Sequence, residues 1–237
     1  MIRRFGGAFR LIVRVQLRSY FPHVYVVLAI VSGVAFRWLI PEELVGLLLP
    51  AVLFGEQGIV AYYLVAAYRS LEDIEGSTTA LAVTPLHTGE YLSALVVATA
   101  AIATPAGCVL WAVVLGLDGR TLVLVLPLFL TAVFAGLLGC VFWAFHRNFT
   151  GFLLGSIPVV TLLSLPNLSY FGLIPRVATR WHPLDLALRD FANLARPEPD
   201  PWLTAANVVL LALFNALAYT LAHRSMTANR RRGLEFA

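Results

Sequence analysis

Lysine is absent from the 237-residue chain, so every basic residue other than histidine is arginine. Charged residues make up only 13% of the sequence, against roughly a quarter in a typical soluble domain. The missing lysine excludes a Walker A phosphate loop, in which a lysine reaches the nucleotide phosphates. There is no GxGxxG segment either. We therefore expect no ATP hydrolysis by a P-loop within this chain.

Cysteine is nearly as scarce, and the histidines are scattered. Cys108 and Cys140 both lie inside apolar runs, which favours two small buried residues over a disulfide or a metal pair. The five histidines show no metal-ligand spacing. Arginines flanking membrane spans explain the net charge of +4 better than nucleic-acid binding does. We expect no metal, no cofactor held by this chain and no nucleic-acid partner.

Long apolar runs are what the sequence has in abundance, with 59% hydrophobic residues and a mean hydropathy of +0.82. Six runs approach or exceed the length that a helix needs to cross ~30 Å of hydrocarbon. The chain is therefore predicted to be an all-α polytopic membrane protein, with one transmembrane domain over residues 1–237. The predicted spans cover residues 24–40, 44–68, 91–117, 121–145, 150–168 and 202–223.

The arginines outside these spans are more numerous on the side that would hold both termini. Because arginine-rich segments stay cytoplasmic, we expect cytoplasmic termini. The use of arginine without lysine is typical of a GC-rich bacterial genome, so the membrane is predicted to be a bacterial plasma membrane. Residues 1–20 carry Arg10, Arg14 and Arg18 at a spacing of four, with apolar residues on the other faces. This pattern predicts an amphipathic helix that lies in the inner interface, in contact with membrane lipid.

The fifth span and the segment after it are rich in proline. Pro158 and Pro166 are predicted to kink or break the span. Residues 170–201 are predicted to form an extracellular amphipathic or re-entrant segment, with a short helix that begins at His182-Pro183 and ends at a proline-rich stretch. The apolar residues on one face of that helix are Leu184, Leu188, Phe191 and Leu194.

Residues 72–90 form the longest polar stretch between spans in the first two thirds of the chain. A loop that binds anionic lipid would be basic, so this acidic stretch is better placed against a protein partner. A short helix is predicted after Gly76, ending at Pro85, and a second helix is predicted to start at Thr88. The acidic residues are Glu72, Asp73, Glu75 and Glu90.

Glu75-Gly76, followed by AL-x-VTPL and GEYL, resembles the intracellular loop of ABC-2 type permeases, the membrane subunits of ATP-binding-cassette exporters. In that family the loop is the coupling helix, which docks on the ATPase subunit. The basic N-terminal helix, the six spans and the HPL segment after the fifth span also resemble the family. The layout is similar to small drug-export permeases, including fluoroquinolone exporters. Two departures are the short link at residues 41–43 and the apolar position near Leu95, where the family often has a lysine.

The resemblance implies a permease subunit, without an ATPase site of its own, that moves an amphipathic or hydrophobic drug, lipid or peptide outward. Two copies of a separate ATPase subunit would bind ATP and Mg²⁺. A second permease chain, identical or a paralogue, would complete the pathway. The residues assigned to coupling with the ATPase are Glu72, Glu75, Gly76, Thr84, Pro85, Leu86, Glu90 and Tyr91.

Glu56 lies within the second predicted span, where an acidic residue is by default functional. It either meets a cationic group, on a substrate or on Arg37, or lies hydrated in the outer interface. Gln57, Tyr62 and Tyr63 either line an amphipathic substrate pathway with Glu56 or take part in ordinary helix packing.

Gly151 and Gly155 form a GxxxG pair in the fifth predicted span. Such a pair allows close helix contact, as in a dimer, and it also occurs by chance in glycine-rich spans. Two other functions stay open for the chain as a whole. A non-transporting scaffold for a cytoplasmic partner would use the same acidic stretch, and a membrane-embedded enzyme would need acids or histidines clustered at one depth.

Overall fold

A computed structural model describes residues 2–76, 86–146 and 148–235 of the chain, and helices fill most of these ranges. No strand occurs within them, and a short 3-10 turn covers Arg176–Ala178. The helices are α1 Ile2–Arg18, α2 Phe21–Leu39, α3 Glu42–Ile74, α4 Thr88–Leu115, α5 Gly119–Trp143, α6 Phe149–Leu163, α7 Leu165–Tyr170, α8 Pro183–Leu194 and α9 Pro201–Glu235.

Six helical segments within the described ranges are long and apolar enough to cross a membrane: α2, α3, α4, α5, the α6–α7 pair and α9. The chain is therefore an all-helical, multi-pass membrane protein, and the predicted number of spans is confirmed. Helix α3 continues to Ile74, beyond the end predicted for the second span at residue 68. Its 33 residues correspond to ~50 Å of helix, well beyond the ~30 Å of hydrocarbon.

Helix α4 lies at the centre of the bundle, where it packs against α1, α2, α3 and α5. Its buried positions are dominated by small residues, including Ala94, Ala98 and Ala103, which are fully buried. Gly33 of α2 lies against Val113 of α4, since a Cβ added to this glycine would be 3.0 Å from the valine side chain. Small residues at these contacts let the helix backbones approach closely.

Helices α3 and α5 make the tightest of these contacts. A Cβ added to Gly139 of α5 would lie 2.8 Å from the backbone carbonyl oxygen of Tyr62 in α3. One helical turn away, a Cβ on Gly136 would lie 3.3 Å from Val65. The two helices therefore meet backbone to backbone at Gly139 and remain closely packed one turn away.

The fifth span is broken at Ser164, between α6 and α7. Pro166 lies in the first turn of α7, where its missing N–H has no helical acceptor to lose. The backbone N–H and the hydroxyl of Ser164 both donate to the carbonyl of Val160, at 2.9 and 2.8 Å. The predicted break is confirmed at Pro166, whereas Pro158 lies inside α6.

Helix α8 begins at Pro183 and buries the four apolar residues that the sequence places on one face. It packs against α3, α5 and α9. Asn193 closes the turn into α9, because its side-chain amide donates to the Asp200 carbonyl at 2.7 Å and its amide oxygen accepts from the Asp200 N–H at 3.1 Å. The extracellular location of this segment stays a prediction.

Helix α1 packs along α4. Ile12 and Gln16 are buried, and the Gln16 side-chain amide donates to the Thr99 hydroxyl of α4 at 3.1 Å. Arg10, Arg14 and Arg18 lie on the exposed side. Whether this helix lies in a membrane interface stays a prediction.

Candidate functional site

Three polar side chains join the end of α3 to the start of α4, and we call Arg69, Glu72 and Tyr91 the root cluster. The Arg69 Nη1 atom donates to Glu72 Oε2 at 2.7 Å and to the Tyr91 hydroxyl at 3.0 Å. The Tyr91 hydroxyl donates in turn to the same glutamate oxygen. The arginine guanidinium also lies 5.6 Å from the centre of the Tyr91 ring. Each member thus contacts both of the others.

The root cluster is largely shielded from solvent, with side-chain exposures of 15% for Arg69 and 8% for Glu72. A buried ion pair of this kind contributes little net stability when intact, but removal of one partner leaves an uncompensated charge. The cluster therefore fixes the relative position of α3 and α4 at the point where the polar stretch leaves the helices. Two residues of the predicted coupling set, Glu72 and Tyr91, belong to it.

The polar stretch has a defined beginning and end. Gly76 follows the last turn of α3 with a φ of +68°, a left-handed conformation that glycine adopts without strain. At the other end Leu86 is half-buried against the apolar core, and the His87 backbone N–H donates to the Glu90 carboxylate at 3.1 Å. Helix α4 begins at Thr88, with Glu90 in its first turn, as the sequence predicts.

Residues 77–85 lie outside the described residues, and with them Thr84 and Pro85 of the predicted coupling set and the short helix predicted after Gly76. The acidic residues on either side divide into two kinds. Asp73 and Glu75 are exposed, whereas Glu72 and Glu90 are buried. Only the exposed pair is free to meet a partner without rearrangement of the helix ends.

Helix α9 supports the same region through Tyr219. Its hydroxyl donates to the Gly89 carbonyl at 3.1 Å and lies 3.1 Å from the Ser93 hydroxyl. A Cβ on Gly89 would be 3.1 Å from the Tyr219 hydroxyl oxygen, so the first turn of α4 is held closely against α9. The start of α4 is therefore fixed from two sides.

The four predicted pathway residues do not share one face. Gln57 and Tyr62 are fully buried. The Gln57 side-chain amide donates to the Leu128 carbonyl of α5 at 3.3 Å. The Tyr62 ring stacks on Phe152 of α6 at a centroid distance of 5.2 Å. Both positions match the packing interpretation rather than a shared cavity.

Tyr63 and Glu56 lie on the more accessible side of α3. The Tyr63 hydroxyl is 2.9 Å from the Ser156 hydroxyl of α6. Glu56 faces α2, where Ser32 and Tyr25 are its polar neighbours. Its Oε2 atom and the Tyr25 hydroxyl are both buried without a hydrogen-bond partner. Glu56 therefore remains a candidate for the binding of a cationic group.

The two glycines of the GxxxG pair have neighbours within the chain. A Cβ on Gly155 would clash with His146 Nε2, and a Cβ on Gly151 would be 2.9 Å from the Asn148 side-chain oxygen. His146 itself is held by its Nδ1 atom, 2.9 Å from the Phe142 carbonyl. The glycines thus make room for the short α5–α6 connection, and their role in a dimer stays a prediction.

A second group of buried polar side chains lies on α8, at the opposite end of the bundle. Asp190 is fully buried and accepts a hydrogen bond of 2.8 Å from the Asn207 amide of α9. Burial raises the pKa of Asp190 to about 7 and lowers the pKa of His182 to about 4. The His182 ring caps α8, because its Nδ1 atom accepts from the Leu184 N–H at 3.2 Å. Both groups are therefore uncharged over much of the acidic range.

Sequence reasoning missed Arg69, Tyr219 and Asp190. Arg69 follows an apolar run directly and precedes Glu72 by three residues, a spacing that pairs opposite charges on a helix. The spacing predicts this ion pair only if the helix is assumed to continue beyond residue 68. Tyr219 and Asp190 offer no local signal, since their partners are distant in sequence.

No group of three or more potential metal ligands occurs among the residues that the structure describes. No family model and no curated protein sequence matches the chain.

Proposed function

We propose that the chain is the membrane-spanning permease subunit of an ABC exporter, driven by a separate ATPase subunit. The observation that carries the proposal is the root cluster, which locks α3 to α4 where the acidic stretch begins and ends. A segment that receives force from an ATPase needs a rigid attachment to the spans, because a loose attachment would absorb the displacement.

The length of α3 supports the same proposal. Its ~50 Å exceeds the hydrocarbon thickness by ~20 Å, so its final turns extend into the aqueous phase or the headgroup region. Asp73 and Glu75 are exposed on these turns. Two exposed carboxylates on a rigid projection fit a basic groove of a protein partner, with complementary charge setting the orientation of docking.

The proposed substrate is amphipathic or hydrophobic, because the spans carry few charged groups. Glu56 is the acidic residue within the apolar part of a span, and its unpartnered oxygen faces the side of α2. An amphipathic molecule with a protonated amine would supply the missing partner for this oxygen. We propose that two permease chains enclose the transport pathway between them, with one ATPase subunit for each.

The proposal is tested by co-expression of the chain with candidate ABC ATPase subunits, followed by reconstitution in lipid vesicles. Glu75→Arg and Asp73→Arg reverse exposed charges at positions outside the root cluster, although Asp73 acts on Arg69 through its charge. Glu90→Arg is a poorer choice, because Glu90 is buried in the first turn of α4. Glu198→Arg, at an exposed acid beyond α8, is the matched control.

We expect Asp73→Arg and Glu75→Arg to detach the ATPase subunit or to lower ATP hydrolysis stimulated by the permease, while Glu198→Arg leaves both unchanged. The exporter proposal fails if no ATPase subunit binds the chain, or if binding ignores both substitutions. In the latter case a scaffold that holds a different cytoplasmic partner becomes the better explanation.

A further inference from the structure

A cavity of about 260 Å³ lies between the end of α1, the start of α2 and the last three turns of α3. It is on the side of the bundle that carries the root cluster, because Tyr68 and Leu71 form part of its wall. Val15 and Gln16 of α1 form the opposite wall, and Phe149 of α6 closes one end. The cavity belongs to none of the sites described above.

The walls of this cavity are almost entirely apolar, with Leu64, Ala67 and Leu71 contributed by α3. An apolar cavity of roughly 150 Å³ stays dry and accommodates a ring as large as benzene, and this one is larger. A largely apolar, partly open cavity of this size beside membrane spans fits a hydrocarbon chain better than a polar metabolite.

The exposed face of α1 supplies positive charge beside the cavity. Arg14 and Arg18 are exposed, and each is adjacent in sequence to a cavity-lining residue, Val15 or Ser19. Residues 1–20 contain no acidic residue, and within the described part of the chain neither arginine has an acidic partner. Long arginine side chains can bend from the exposed face toward the mouth of the cavity. A negatively charged headgroup is the complementary ligand.

Gln16 adds a hydrogen-bonding requirement. It is 6% exposed and lines the cavity, and its Oε1 atom is buried without a partner while its amide nitrogen donates to Thr99. A small shift of the Gln16 side chain would bring this oxygen to the edge of the cavity, where a headgroup hydroxyl or N–H would satisfy it. Phosphatidylglycerol combines a negative phosphate, hydroxyl donors and acyl chains.

We propose that this cavity is a binding site for an anionic phospholipid of the phosphatidylglycerol type, with one acyl chain between α1 and α3 and the phosphate at Arg14 and Arg18. The site rests on the membrane-spanning fold alone and does not depend on the exporter proposal. Tyr68 connects it to the root cluster, because this residue lines the cavity and interacts with Glu72. A bound lipid therefore stabilises the end of α3 that carries the acidic stretch.

The test uses the full chain in lipid nanodiscs that contain a phosphatidylglycerol probe with a photoreactive group on one acyl chain. After illumination, the modified peptides are identified by mass spectrometry. Competition with unlabelled phosphatidylglycerol or phosphatidylcholine separates headgroup recognition from general lipid contact. Ala67→Trp fills the cavity, and Leu47→Trp, at a lipid-exposed position of the same helix, is its matched control. Arg14→Gln and Arg18→Gln test the headgroup contact.

We expect labelling on the segments that line the cavity, which are residues 15–22, residues 64–74 and Phe149. Phosphatidylglycerol alone should compete for this labelling, which should be lost in Ala67→Trp but not in Leu47→Trp. Each arginine removed should weaken competition by phosphatidylglycerol about fivefold, the effect of one basic residue near an anionic membrane. Equal competition by phosphatidylcholine would reduce the site to ordinary lipid contact and overturn the proposal. If the wild-type labelling that phosphatidylglycerol suppresses lies outside the segments that line the cavity, the proposal is overturned as well, even if Ala67→Trp fails to fold.

Discussion

The root cluster gives the sharpest prediction, because its members can be removed singly and together with different expected losses of stability. Glu72→Ala removes the carboxylate that faces both Arg69 and Tyr91, leaving a largely buried guanidinium without a counter-charge. Breaking a buried ion pair in this way costs about 3–5 kcal/mol. Because Arg69 keeps 15% exposure and the Tyr91 hydroxyl, we expect the lower end, about 3 kcal/mol.

Tyr91→Phe is a milder change at the same place. It removes one hydroxyl but leaves Arg69 and Glu72 paired at 2.7 Å, so the expected loss is about 1–2 kcal/mol. Glu75→Ala, at an exposed position one turn from Glu72, should change the free energy of unfolding by about 0.5 kcal/mol or less. For a chain of this size, 1 kcal/mol corresponds to roughly 2–4 °C in Tm.

Thermal unfolding of the purified chain in one detergent, followed by intrinsic fluorescence, measures all three variants. We expect the loss of Tm to be largest for Glu72→Ala, intermediate for Tyr91→Phe and negligible for Glu75→Ala. The double variant Glu72→Ala/Tyr91→Phe should lose less than the sum of its parts, because the two residues share a hydrogen bond. If Glu72→Ala behaves like Glu75→Ala, or if the double variant is additive, the three residues do not act as one cluster.

Three further predictions concern other parts of the molecule. Asp190 has a folded-state pKa of about 7, above its unfolded value, so its contribution favours the folded state at low pH and is lost as pH rises from about 4 to 7. Asp190→Asn should therefore raise Tm at pH 8 relative to wild type by more than it does at pH 5, and an equal effect at the two pH values would contradict this assignment. Gly76→Ala should destabilise the chain by about 1 kcal/mol, because alanine is strained at positive φ, whereas Gly46→Ala, inside α3 with open space around it, should stabilise it slightly in the same thermal assay. Leu188→Ala should lower stability by about 2–5 kcal/mol through an unfilled cavity between α8 and its neighbours, and a loss below about 1 kcal/mol in chemical denaturation would show that α8 is loosely packed.

The number of membrane spans and the character of α8 were predictable because both depend on local patterns. Apolar runs long enough to span a membrane are visible in any window of the sequence. The spacing of Leu184, Leu188 and Phe191 gives the buried face of α8 directly, and His182-Pro183 marks its start. These features need no knowledge of what packs against them.

The orientation of residues within a span was not predictable in the same way. Gln57 and Tyr62 looked suited to a polar pathway, yet both point into the contacts with α5 and α6. In a helix that is apolar on all sides the sequence does not mark which face meets protein and which meets lipid. For the same reason the sequence did not show that Gly155 faces protein. Its neighbour His146 lies in the short connection between α5 and α6.

The contact between Gly139 and the Tyr62 carbonyl restricts how the molecule can move. With backbones this close, α3 and α5 cannot slide past one another or rotate about their axes without a steric clash. Any rearrangement of the bundle must move α3 and α5 together as a single rigid body. The packing around α6 is easier to change, because α6 has few contacts with its neighbours. A spectroscopic distance between labels on α3 and α5 should therefore stay constant through a functional cycle, while a distance from either helix to α6 changes.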